Sequence, residues 1–167
     1  MATILVRDGH KASFCIYCYQ QGVLMGDNMM TIRRVQPIDL EPLVELWEMV
    51  FPDDPSHNAP RSMLPTKLDV DDLILVAWEE GVLIGACMVG YDGHRGWLYA
   101  VAVHPEHRRK GVGTNLINAS FETLKSLGCI KVNLQVREVN NPEVVAFYES
   151  LGFKVEQRIS MGKLIDE

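Results

Sequence analysis

The sequence predicts a single domain of mixed α/β class, a sheet flanked by helices on both faces, and three observations carry that expectation. Apolar stretches with strand periodicity alternate with stretches of helical periodicity, in the order strand, helix or two, three strands, helix, strand, helix, strands. The strand over residues 97–104 is nearly all apolar, as a strand covered on both faces should be. The chain has 167 residues, of which 47% are hydrophobic and 23% charged, which suits one compact core rather than two.

Taken in order, residues 1–28 read as an N-terminal extension, leader-like or tag-like, ahead of a domain over 29–167. Ala2–Val6 and Ser13–Tyr19 have strand-like composition, so an ordered extra element is the rival reading. A secretory signal is rejected, because Gln20 and Gln21 break the apolar run and no small-residue cleavage site follows. Thr31–Gln36 reads as a first strand. Asp39 then offers an N-cap for a helix with Leu40, Leu43, Val44 and Trp47 on one face, ending before Pro52. The proline-rich 53–65 reads as irregular, with at most a short helical turn. Residues 73–80 and 82–90 read as strands joined at Glu80-Gly81, and Asp92-Gly93 signals a tight hairpin into the strand over 97–104.

After that strand come Arg108, Arg109, Lys110, Gly111, Val112, Gly113 and Thr114, and then a helix marked by Leu116, Ile117, Phe121, Leu124 and Leu127. The first N–H groups of a helix lack intrahelical partners and sit at the positive end of its dipole, so they favour an anion such as a diphosphate. Glycines at 111 and 113 let an anion approach the backbone, and the three basic residues add mobile charge at the rim. Gly128 ends the helix, and residues 131–136 alternate as a further strand. Asn141 caps a last helix with Pro142 in its first position, running to Gly152. Residues 153–160 and 162–165 read as one or two closing strands.

Composition narrows the function classes. The formal net charge is −6, which argues against general nucleic-acid binding, while the basic triplet in an acidic chain suggests a small anionic ligand. The acidic excess suits a cationic acceptor such as an amine. No apolar run is long enough for a transmembrane helix. Four scattered cysteines, at 15, 18, 87 and 129, fit reduced cytosolic thiols, and the lone Cys15-x-x-Cys18 is weak evidence for metal or redox chemistry.

Two segments together resemble the GCN5-related N-acetyltransferase (GNAT) superfamily. Arg108-x-x-Gly111-x-Gly113 matches the first signature of that family. Asn141, Tyr148 seven residues on, and Leu151-Gly152-Phe153 match the second, and the likeness spans about residues 31–165. Within the superfamily, Gly90 to Gly96 and the compact size resemble the small bacterial YpeA type. The resemblance implies a mostly antiparallel sheet splayed at the strand before the CoA-binding helix. It implies a cytoplasmic acetyl-CoA-dependent N-acetyltransferase that acts by direct attack of a primary amine, with acetyl-CoA as cosubstrate and no metal.

By the same resemblance the cosubstrate meets Val101 and Val103 on the splayed strand, Arg108 to Thr114 at the turn, and Asn141. Tyr148 is the candidate acid for the departing thiolate. Each has a plainer role beside this one: Asn141 as a cap, Tyr148 as core, the basic residues as a solvated rim. The central strand carries no carboxylate, so a base is sought at Asp92, His94, His104, Glu106 or Glu138, or in a water chain. The expected partner is a small-molecule amine or a peptide N-terminus, and a homodimer is left open. A peptide or ribosomal-protein acetyltransferase and a non-catalytic acyl-CoA binding module are the alternatives. A Rossmann domain and a P-loop kinase are set aside, because the third glycine and the G-x-x-x-x-G-K-[ST] sequence are missing.

Overall fold

The computed structural model describes residues 21–25, 28–137 and 142–165. The extension over 1–20 with its strand-like segments and Cys15-x-x-Cys18, together with Glu138 and Asn141, lies outside the described residues. Among the described residues six strands form one sheet in sequential order: β1 (Gln21–Met25), β2 (Asn28–Arg34), β3 (Ile74–Glu79), β4 (Val82–Tyr91), β5 (Gly96–Val103) and β6 (Val132–Leu134). The first five pair antiparallel, and β6 lies parallel to β5. β1 falls within the stretch read as an extension, and it pairs with β2 from Gln21↔Ile32 to Met25↔Asn28.

Helices α1 (Leu40–Val50) and α2 (Pro60–Val70) lie between β2 and β3, α3 (Val112–Ser126) between β5 and β6, and α4 (Pro142–Ser150) after β6. Alternation along the strands sorts their side chains to two faces. Leu75, Ala77, Ile84, Cys87, Val89 and Leu98 pack with Val112, Leu116, Ile117 and Leu124 of α3. Ile74, Val76, Ala86 and Ala102 pack with Leu43, Val44, Leu46 and Trp47 of α1 and Leu64 of α2. Burial of each Leu, Ile or Val among them contributes roughly 1.5–3 kcal/mol, so the two clusters clamp both helical layers to the sheet.

Three expectations from the sequence are corrected. Asp39 does not cap α1 with its side chain. It ends a 3₁₀ turn over Pro37–Asp39, and its Oδ2 accepts the Gln36 N–H at 2.6 Å while both carboxylate oxygens take the Arg33 guanidinium, at 2.5 and 2.8 Å. The proline-rich stretch is mostly ordered, with a 3₁₀ turn over Ser56–Asn58 and then α2. Pro60 suits the first helical position. Pro65 lies inside α2, which is held by buried Leu64 and by Lys67, whose Nζ donates to Val89 O at 2.8 Å. Finally, residues 153–165 form no strand; Lys131 Nζ meets Glu156 at 2.5 Å and Gln135 Nε2 donates to Ser160 Oγ at 2.7 Å, while Val155, Ile159 and Met161 stay exposed.

Candidate active site

The centre of the sheet is interrupted at one point. Ala86 pairs with Ala102 and Met88 with Tyr99, so Cys87 of β4 faces two residues of β5, Ala100 and Val101. This is a β-bulge. Ala100 has φ +45°, rare for a residue with a Cβ, and its carbonyl accepts the Trp47 Nε1–H at 2.8 Å. Trp47 is fully buried in α1, so the bulge is held by the helical layer behind it.

Beside the bulge β5 loses its other neighbour. β6 pairs only with Gly96, Trp97 and Leu98, so β5 beyond Leu98 has no strand partner on that side among the described residues. The His104 N–H donates to Ile84 O of β4 at 2.9 Å, and alternation turns the N–H of Val103 to the open side. The Val103 carbonyl faces that side too, accepting Arg108 Nε at 3.3 Å.

The open stretch leads into the start of α3. Gly111, at φ +78°, precedes the helix in the left-handed region, and the first α-helical bond closes from Asn115 N–H to Gly111 O at 3.0 Å. The N–H groups of Val112, Gly113 and Thr114 therefore come before any intrahelical acceptor. A Cβ at Gly113 would stand 3.2 Å from Phe147 Cζ and 3.7 Å from Val103 Cγ2, so turn, strand and α4 meet there. Arg108, Arg109 and Lys110 are exposed, and Arg109 reaches Glu143 in the first turn of α4 at 2.8 Å. Free N–H donors, a glycine floor and three cations within one turn fit a diphosphate.

Tyr148 of α4 is half-buried, its ring 5.1 Å from Phe147 and edge-on to Phe153 at 5.5 Å. Burial first, and the Cys87 thiol second, push its pKa up, so the phenol holds its proton throughout the neutral range. Cys87 is itself inert: burial raises its thiol pKa to about 12.

The side chains considered as bases are scattered. Asp92 Oδ1 accepts the N–H groups of His94 and Arg95 at 2.7 and 2.6 Å, and those bonds, that from Arg95 foremost, lower its pKa. It shapes the hairpin. His104 Nδ1 accepts the Glu106 N–H at 3.3 Å, and its ring meets His107 edge-on at 5.6 Å. His94 and Glu106 are exposed.

On the other face of the sheet a shallow recess of about 20 Å³, room for one water, opens at Ala100, walled by Trp47, Phe51, Asn58 and Met63 and carrying the carboxylate of Asp54. None of Asp92, His94, His104 and Glu106 lines it. The family resemblance implies that the stretch over 53–65 helps form the acceptor site, but the sequence does not single out Asp54 there, because a loop aspartate between prolines carries no periodic signal. Among the described residues no helix is long and apolar enough to cross a membrane.

Comparison with known proteins agrees with this geometry. The profile of the acetyltransferase (GNAT) family matches residues 40–153. An acetyltransferase of Yersinia pestis (strain Pestoides F) is 39% identical over 135 residues, covering 80% of this chain and 94% of that protein. One of Pectobacterium atrosepticum is 39% identical over 139 residues, covering 83% of this chain and 97% of its own length. Among solved structures, an aminoglycoside N-acetyltransferase in complex with CoA superposes with a TM-score of 0.71 at 22% identity, covering 86% of this chain and 99% of the other, a likeness of fold.

Proposed function

Since the chain belongs to the acetyltransferase (GNAT) family, we propose that it transfers the acetyl group of acetyl-CoA directly to a primary amine, without an acyl-enzyme. The observation that carries this reading is the junction where β5, parted from β6, runs into the uncapped start of α3. The N–H groups of Val112, Gly113 and Thr114 would hold the diphosphate, with Arg108, Arg109 and Lys110 at its rim. Val101 and Val103 would line the arm that leads to the bulge. Asn141 remains a candidate for contact with that arm.

Bound acetyl-CoA supplies a thioester whose acetyl carbon is open to attack. The N–C bond forms as the C–S bond breaks, the amine loses a proton, and the sulfur gains one. A backbone N–H on the open side of β5 is suited to stabilise negative charge on the acetyl oxygen. Tyr148 would donate the proton to sulfur. Its raised pKa makes full transfer to a thiol of ordinary pKa near 8.5 uphill, so the proton is shared as charge develops. The bonds that Asp92 makes to its own turn leave it a poor base, and water relaying the amine proton fits better.

Thiol release from acetyl-CoA across a panel of amines and N-terminal peptides tests the proposal. Amine-dependent release is expected, and Tyr148→Phe should lower kcat by about 100-fold while leaving the KM for acetyl-CoA within about twofold. Unchanged kcat removes Tyr148 from the reaction, and release with no amine in the panel removes the transferase reading.

A further inference from the structure

We infer that Glu79 and His107 are positioning residues for the cosubstrate, which together hold the anion-binding turn in place against the sheet. The inference rests on the CoA-binding reading of that turn given above. The way the turn is tethered carries it. Between the end of β5 and Gly111 the chain makes one 3₁₀ turn, Pro105–His107, and then runs through Arg108, Arg109 and Lys110. Of residues 105–110 only His107 is not exposed. Arg109 has φ +60° and Gly111 φ +78°, so the stretch that would cradle the diphosphate passes through two left-handed residues, one of them with a Cβ.

His107 reaches back to the sheet. Its ring meets His104 edge-on at 5.6 Å, and its Nδ1 is buried, with Glu79 Oε2 standing 3.2 Å away. The two side chains are 21% and 19% exposed. A buried ring N–H without an acceptor is costly, so the carboxylate fixes where the imidazole sits. Glu79 is itself firmly placed: it closes β3 in register with Val82, across a turn whose two residues, Glu80 and Gly81, have φ +49° and +79°. Two positive φ values in succession mark the tight hairpin form. The contact thus pins the last residue of the 3₁₀ turn, one position before Arg108, to the end of a rigid hairpin. Bonds such as Arg108 Nε to Val103 O at 3.3 Å and His107 N–H to His104 O at 2.8 Å stay within residues 103–108 and do not tie that stretch to a neighbouring strand.

Positioning and plain charge predict opposite signs. A carboxylate near an anion site opposes the anion, so removal of Glu79 would tighten CoA binding if charge were all that mattered. If Glu79 acts by holding His107, its removal loosens the turn, and binding weakens because the N–H groups of Val112, Gly113 and Thr114 are no longer preorganised.

Calorimetric titration of the full chain with CoA, beside urea unfolding of each variant, tests this. Glu79→Ala should weaken CoA by about tenfold, the size of one buried polar contact, and His107→Ala about as much. The double variant should bind no worse than either single one, because each removes the same tether. Glu79→Gln, whose amide oxygen can still accept from Nδ1, should recover part of the loss. With an amine that is turned over, Glu79→Ala should raise the KM for acetyl-CoA while kcat stays within about twofold. Unchanged or tighter CoA binding in Glu79→Ala, or losses that add in the double variant, overturns the inference and leaves the transferase reading standing. A folded wild-type protein that binds no CoA overturns both.

Discussion

At the scale of single residues, the best-held charge is Asp39. Its side chain is fully buried, which pushes its pKa up, yet the bonds from Arg33 and from the Gln36 N–H more than offset burial and leave it lowered. A carboxylate whose folded pKa is depressed stabilises the protein fully above the unfolded value near 3.9, and that stability is lost as pH falls through the folded value. Asp39→Asn leaves the Arg33 guanidinium, itself mostly buried, without its counter-charge. Urea unfolding at pH 7 should show a loss of about 3 kcal/mol, which shrinks as the pH is lowered past the unfolded value and through the depressed folded one. An equal loss at pH 7 and at low pH would show that charge is not the cause. This residue was legible in sequence only as a polar side chain before an apolar helix; that it turns back toward β2 depends on Arg33, six positions earlier.

At the scale of elements, what was legible followed what local pattern determines. The meander β3–β5, the Asp92-Gly93 hairpin and the helices α3 and α4 were visible because alternation, turn chemistry and helical spacing agree there. The bulge was not, since one extra residue in β5 leaves the apolar pattern intact and owes its conformation to distant Trp47. α2 was hidden by prolines that read as breakers, although buried Leu64 and the Lys67 bond anchor the helix around Pro65. The closing segment erred the other way: its alternation is real, but Val155, Ile159 and Met161 have no apolar face to bury against.

The contact between β4 and α3 gives this scale its prediction. A Cβ on Gly85 would stand 2.9 Å from both Leu116 Cδ1 and Val112 Cγ1 and 3.1 Å from the Ala102 carbonyl oxygen. Gly85→Ala must push the start of α3 away from the sheet, costing about 1–3 kcal/mol. Because Val112 opens α3, the KM for acetyl-CoA should rise together with the fall in the urea midpoint. A lower midpoint with an unaltered KM would mean that the anion-binding turn does not depend on how α3 seats.

At the scale of the whole molecule, the sheet divides the labour. α3 and the basic turn flank one side, α1, α2 and the recess the other, and the parted, bulged stretch of β5 is where the two sides meet. The net charge of −6 leaves the Arg108-Arg109-Lys110 cluster as a local basic patch in an acidic protein. A local field of that sign draws a small anionic ligand to the turn. Calorimetric titration of the full chain with acetyl-CoA tests this most directly. The account predicts one-to-one binding with heat, weakened about tenfold or more when Arg108, Arg109 and Lys110 are replaced together by alanine. No heat with the folded wild-type protein, or an affinity indifferent to those three charges, would contradict it.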